Sequence, residues 1–156
     1  MRDERVVFTE AELSACCASR RWVAAVAGRS YAGAAELRAA GAAALDELTW
    51  DDVEEALAAH PRVGDRAAGW SRAEQAGMDG AAPDVRAALA AGNRAYEDRF
   101  GHVFLIRATG RTADEMLARL RERLGNDTET ERMAVRRELA AIVDLRLAKL
   151  VGEEGA

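Results

Sequence analysis

This chain of 156 residues has little aromatic character, 5%, and is poor in cysteine, proline, histidine and lysine. Its two cysteines, Cys16 and Cys17, are adjacent, so they form no ordinary structural disulfide and no zinc site without further ligands. They read as small buried helix residues in a reducing compartment. No run approaches the roughly 18 apolar residues of a membrane span, and Met1-Arg2-Asp3-Glu4-Arg5 leads into no secretory hydrophobic region. The expectation is a cytoplasmic protein with no membrane partner. Net charge is -5 with acids and bases interleaved, which excludes the basic face that a phosphate backbone needs, so nucleic acid is not an expected partner. Lys149 is the only lysine, and the prevalence of arginine reads as the mark of a GC-rich genome.

What is present is apolar and small. Nearly half the residues are hydrophobic, with Ala supplying much of that and Leu and Val most of the rest, a composition that favours helix over sheet. One domain of this length buries roughly 70% of the surface its unfolded chain exposes, enough for a pocket inside a real core.

Helix signals follow one another along the chain. Thr9 caps a helix with Glu10 and Glu12 in its first turn and Leu13, Cys16 and Cys17 on one face. A second stretch, Arg21 to Ala27, stops at Gly28, and a third, about Tyr31 to Ala40, ends at Gly41. Thr49 caps a helix carrying Val53, Ala56 and Leu57, which Pro61 ends at His60. From Arg62 to Trp70 the chain reads as a loop, and Ser71 opens a short helix. Pro83 starts a helix running to about Arg99 and closed by Gly101. His102 to Ile106 reads as a buried extended or turn segment, too short for a sheet of its own. Thr112 and Glu115 form a capping box for a helix through Leu124, and a last long helix begins between Asp127 and Glu131. The fold is predicted to be all-α, a single domain of roughly seven to nine helices spanning 1–156.

Three places invite chemistry. His60, before a proline and at a helix C-terminus that favours the imidazolium, suits a proton donor; the plain alternative is a histidine that only complements the helix dipole. Ser71 and Glu74 form a capping box that needs no function, but Gln75 is not explained by capping. Arg146 lies on the apolar stripe of the last helix with Ile142, Val143 and Leu150, where a charge needs an anionic partner. That partner is either a structural carboxylate or a substrate carboxylate or carbonyl, and a snorkelling side chain is the third possibility. His102 has no acid motif nearby and reads as structural.

Taken in order, Cys16-Cys17 with Arg21-Trp22, Ala58-Ala59-His60-Pro61-Arg62-Val63-Gly64-Asp65, Trp70-Ser71-Arg72-Ala73-Glu74-Gln75, the run Asn93 to Arg111, and Arg123-Leu124-Gly125-Asn126-Asp127 with Glu131 resemble the 2-oxo-4-hydroxy-4-carboxy-5-ureidoimidazoline (OHCU) decarboxylases. The resemblance covers nearly the whole chain. It implies an all-helical, cofactor-free enzyme, with no metal, that decarboxylates OHCU to (S)-allantoin at the end of urate breakdown, and it implies a homodimer. It also implies His60 as general acid with Glu74 beside it. Pro61, Ser71 and Gln75 would contact substrate, the segment Ile106, Arg107, Ala108, Thr109 and Gly110 would hold the ring through backbone groups, and Arg146 would match the family's late arginine. The chain departs from the family at Arg107, where members often carry a smaller or less polar side chain. Two other readings stay open on the residues alone: a same-fold decarboxylase or proton-transfer enzyme for another ureido or imidazolinone compound, and a non-catalytic helical interaction module.

Overall fold

The structure, a computed structural model, describes residues 5–63 and 74–152. Among them are seven α-helices: α1 (Glu10–Cys16), α2 (Arg20–Ala27), α3 (Ala34–Asp46), α4 (Trp50–Leu57), α5 (Pro83–Phe100), α6 (Ala113–Leu124) and α7 (Thr128–Leu150). A 3-10 turn spans Ala76–Met78, and two short strands, β1 (Val6–Val7) and β2 (Ser30–Tyr31), complete the order. Of the side chains expected to start helices, Thr9, Thr49, Pro83 and Thr112 do so. Thr9 and Glu12 exchange side-chain and backbone hydrogen bonds at the head of α1, and Thr112 and Glu115 do the same for α6. The Ser19 hydroxyl accepts from the Trp22 N–H at the start of α2, and Thr49 with Asp52 closes the start of α4. Pro83 opens α5, and Gly101, at φ 81, ends it in the left-handed conformation that only glycine adopts cheaply.

Two details depart from the sequence-based picture. The all-helical expectation lacked the small antiparallel pair in which Val6 faces Tyr31 and Val7 faces Ser30. Two residues per strand leave no alternation to read, and Arg5 stabilises the pair by reaching across to Ser30 and Glu36. Gly41 does not stop α3, which starts later than expected, at Ala34, and runs on to Asp46. A Cβ at Gly41 would meet Leu147 at 2.6 Å and Trp22 at 3.5 Å, and the Gly41 carbonyl accepts the Trp22 indole N–H at 3.0 Å. The glycine is there for close packing, and the same absent side chain that suggests a stop permits the contact.

The chain divides into two compact units, one made of residues up to Ala56 together with those from Ala140 on, the other Leu57–Leu139. The first buries Leu13, Trp22, Leu37, Val53 and Leu147, with Cys16 and Cys17 buried as free thiols. Burial pushes the Cys17 thiol up to about 11, out of reach of thiolate chemistry near neutral pH. The second packs α5 against α6 over a cluster that includes Leu89, Tyr96, Phe104, Met116 and Leu120. Among the described residues no helix is long and apolar enough to cross a membrane.

Candidate functional site

Three segments far apart in sequence reach one apolar cluster in the second unit. Val63, three residues beyond His60, is buried in it; so are Met78, four beyond Glu74, and Ile106 and Ala108. His60 is half-buried just after α4, where its N–H donates to the Leu57 carbonyl at 3.0 Å, and Pro61 is half-buried beside it. The chain that follows is tied down twice. Asn93, 2% exposed, donates from Nδ2 to the Val63 carbonyl at 3.1 Å, and Arg62 grips both carboxylate oxygens of Glu97 at 2.6 and 2.8 Å. That guanidinium holds the Glu97 carboxyl below the usual carboxylate range.

Glu74 is a carboxylate with only 8% of its surface exposed, and Gln75 beside it is half-buried. Burying a carboxylate is costly unless something polar meets it, so its position is a built feature of the chain. The Gln75 carbonyl accepts the Met78 N–H at 2.9 Å, forming the 3-10 turn, and Arg86 holds the Met78 carbonyl from outside. Gly77 in that turn is a residue the sequence reading passed over. A Cβ there would stand 1.9 Å from the Arg111 carbonyl oxygen, backbone against backbone, so only glycine lets the Glu74 turn lie against the end of the 106–110 segment. Nothing in the local pattern Glu-Gln-Ala-Gly-Met distinguishes this glycine from one in an ordinary turn. Ser71 lies outside the described residues.

The segment Ile106–Gly110 is extended and then turns. Ile106 and Ala108 are buried, Arg107 and Thr109 are half-buried, and Gly110 is exposed at φ 79. Arg107 spends both its backbone groups internally: its N–H donates to Glu138 at 3.1 Å and its carbonyl accepts from Arg111 Nε at 2.9 Å. The expectation that backbone groups of this segment would hold a ring therefore narrows to its other members, since the amides of Ala108, Thr109 and Gly110 make no hydrogen bond among the described residues. Two side-chain atoms here, Arg107 Nε and Thr109 Oγ1, are buried with no partner among the described residues, as is Asn93 Oδ1. Buried polar atoms without partners are scarce in folded proteins, and three of them near one apolar cluster mark a place suited to a polar ligand.

Arg123 and Glu131, noted in the sequence without a role, form the buried charge network of this unit. Arg123 is 7% exposed and Glu131 fully buried; they meet at 2.5 Å, and Arg123 also donates to the Leu105 carbonyl at 2.6 Å. Tyr96 donates its hydroxyl to the same Glu131 carboxylate, Asn126 donates to it at 3.1 Å, and the guanidinium lies 4.6 Å from the centre of the Phe104 ring. Burial first, and the Glu131 carboxylate second, push the Tyr96 phenol above its ordinary value. The network thus fixes the strand of chain leading into Ile106. His102 packs edge-on against Tyr96 at 5.5 Å between ring centres and bonds the Val103 carbonyl.

Arg146 belongs to the other compact unit. It is 7% exposed, and one of its terminal nitrogens reaches the Ala15 carbonyl at 3.4 Å. Its charge counteracts part of the burial effect on Cys17. Among the described residues no three His, Cys, Asp or Glu side chains cluster as metal ligands do.

Comparison with known proteins places the chain in a family. The OHCU decarboxylase family profile matches residues 6–148. The chain is 32% identical over 132 residues to the 2-oxo-4-hydroxy-4-carboxy-5-ureidoimidazoline decarboxylase of Amia calva, covering 80% of this chain and 75% of that one. It is 29% identical over 139 residues to the decarboxylase of the same name from Haloferax volcanii, covering 85% and 83%. A crystal structure of OHCU decarboxylase in the presence of (S)-allantoin superposes with a TM-score of 0.85 at 28% identity, covering 92% of this chain and 99% of the other. Family profile, relatives and fold together set the chain among the helical decarboxylases. It belongs to the OHCU decarboxylase family.

Proposed function

We propose that this chain is a carboxy-lyase that converts OHCU to (S)-allantoin in urate degradation, with His60 as general acid and Glu74 beside it. The observation that carries this reading is the family match over residues 6–148, a span that includes every residue assigned a role here. Loss of carbon dioxide breaks the carbon–carbon bond to the carboxylate and leaves its electron pair on the ring, where a ring carbonyl absorbs it as an enolate. A proton then has to arrive on one face to set a single stereocentre. A histidine held by the Leu57 turn and the proline after it delivers that proton from a fixed direction. The substrate's own carbonyl is the electron sink, so the chemistry asks for no cofactor or metal.

Binding is assigned to Ser71 and Gln75 for the ureido and ring polar groups, to Pro61 as a further substrate contact, and to Arg146 for anionic or carbonyl oxygen. Ile106, Arg107, Ala108, Thr109 and Gly110 form the ring-holding segment, and the unpaired amides of its last three residues and the unpaired Thr109 hydroxyl support that assignment. The enzyme works as a single domain over 1–156, as a homodimer, in the cytoplasm. The Ala-rich helices offer close-packing surfaces for a second copy, and the free thiols suit a reducing compartment.

The test is chiral detection of allantoin after the purified protein is added to freshly generated OHCU, beside the spontaneous reaction. Rapid formation of the (S) enantiomer that is lost in His60→Ala is the expected result. Racemic product at the uncatalysed rate overturns the reading.

A further inference from the structure

We propose that Glu138 and Arg111 are positioning residues that clamp the peptide of Arg107 and so present the amides of Ala108, Thr109 and Gly110 to the substrate. The inference rests on the function proposed above and assigns roles to two residues that it leaves unused. Glu138 Oε1 accepts the Arg107 N–H at 3.1 Å, Arg111 Nε donates to the Arg107 carbonyl at 2.9 Å, and the two side chains stand 4.0 Å apart, each about four-fifths buried. Both polar groups of one residue are thereby held by an acid and a base that also face each other. The partner of Glu138 within residue 107 is the backbone, while Arg107 Nε stays unpaired, so the carboxylate fixes the path of the chain and leaves the guanidinium group uncommitted to it.

The clamp extends further through Arg111. Its N–H donates to the Ala108 carbonyl at 3.0 Å, closing the turn in which Gly110 takes φ 79. Its carbonyl is the atom against which Gly77 packs. Arg111 therefore sets both the curl of the ring-holding segment and its distance from the Glu74 turn. A largely buried ion pair is a poor way to gain stability alone, whereas a small displacement of binding groups costs a large factor in rate or affinity.

The experiment compares Glu138→Ala, which removes the acceptor, with Glu138→Gln, which keeps an oxygen for the Arg107 N–H. Steady-state kinetics on OHCU are measured together with backbone amide NMR shifts. KM is expected to rise about tenfold in Glu138→Ala with kcat within about threefold, and to return to within about threefold of the parent in Glu138→Gln. An unchanged KM, equal impairment of the two variants, or a loss confined to kcat, as a smaller folded fraction gives, overturns the proposal. Should Glu138→Ala not fold, Arg111→Lys serves instead: it keeps the charge and loses Nε, and an unchanged KM there overturns the clamp. A parent protein that does not turn over OHCU refutes the function itself. The clamp is then judged by the Ala108, Thr109 and Gly110 amide shifts, which should move in Glu138→Ala and return in Glu138→Gln, and which overturn it if they stay put.

Discussion

Arg20 and Glu55 meet at 2.8 Å with the arginine side chain 93% exposed, whereas Arg123 and Glu131 meet at 2.5 Å with side-chain exposures of 9% and 0%. The two pairs are opposite extremes of exposure, one in each compact unit. In the first, the ion pairs Arg5–Glu36, Arg21–Asp52 and Arg38–Asp144 all include a side chain more than a third exposed, and water screens them. In the second, Glu74, Asn93, Arg123 and Glu131 are all buried, and the three unpaired buried polar atoms lie there too. Surface pairs can be exchanged freely; buried charges must be met by several partners at once, as Glu131 is by Arg123, Tyr96 and Asn126. The lesson is that the second unit adds a fixed, buried polar geometry to its apolar core, and chemistry requires such geometry. Arg146 is the exception, a buried charge in the first unit, and it is the residue there assigned to substrate.

The contrast is testable. The largest effect belongs to the second unit: His60→Asn should lower kcat by about a hundredfold or more while circular dichroism and melting temperature stay at the parent values. Full turnover in that folded variant would remove the proton donor from this unit. Trp22→Ala in the first unit should do the opposite, costing about 3–5 kcal/mol in denaturant unfolding because a fully buried side chain and its bond to Gly41 are lost, with kcat per folded molecule within about twofold of the parent. A specific loss of kcat in that variant would dissolve the distinction. Gly77→Ala should affect both properties, since its Cβ collides with the Arg111 backbone: a cost of about 1–3 kcal/mol and an activity loss exceeding that explained by the unfolded fraction.

The smallest effect is in alkali, and it compares one tyrosine from each unit. Burial raises both phenols, but Tyr31 donates to the neutral Val26 carbonyl and Tyr96 to the Glu131 carboxylate. A phenol whose folded pKa lies above its unfolded value near 10 contributes stability that is complete below about pH 10 and lost as pH rises toward the folded value. Unfolding followed from pH 9 to 11 should therefore show falling stability, and Tyr96→Phe should flatten that fall more than Tyr31→Phe. Equal slopes in the two variants would overturn the expected difference between the two tyrosines.

Local chemistry made most of the fold legible. Thr9, Thr112 and Pro83 declare helix starts and Gly101 a helix end, because capping involves only residues within a few positions of one another. The β1–β2 pair and the interior placement of Gly41 were hidden because each depends on partners in other elements, and neither leaves a periodic trace. At the site, His60, Glu74 and the 106–110 segment were singled out from motifs. Gly77 and Glu138 were not, because their roles lie in backbone contacts across more distant segments, and Arg111 was not, because its part depends on the Gly77 and Glu138 contacts it shares.

The sequence by itself determined a helical chain, its caps and its family, since periodicity, capping side chains and ordered motifs are written locally. Only the tertiary structure decided that Val63, Met78, Ile106 and Ala108 share one apolar cluster, that Arg107 spends its backbone N–H on Glu138, and that a glycine must stand where the Glu74 turn meets Arg111. Those are contacts between segments tens of residues apart, and packing selects them from many arrangements that the local signals would equally allow.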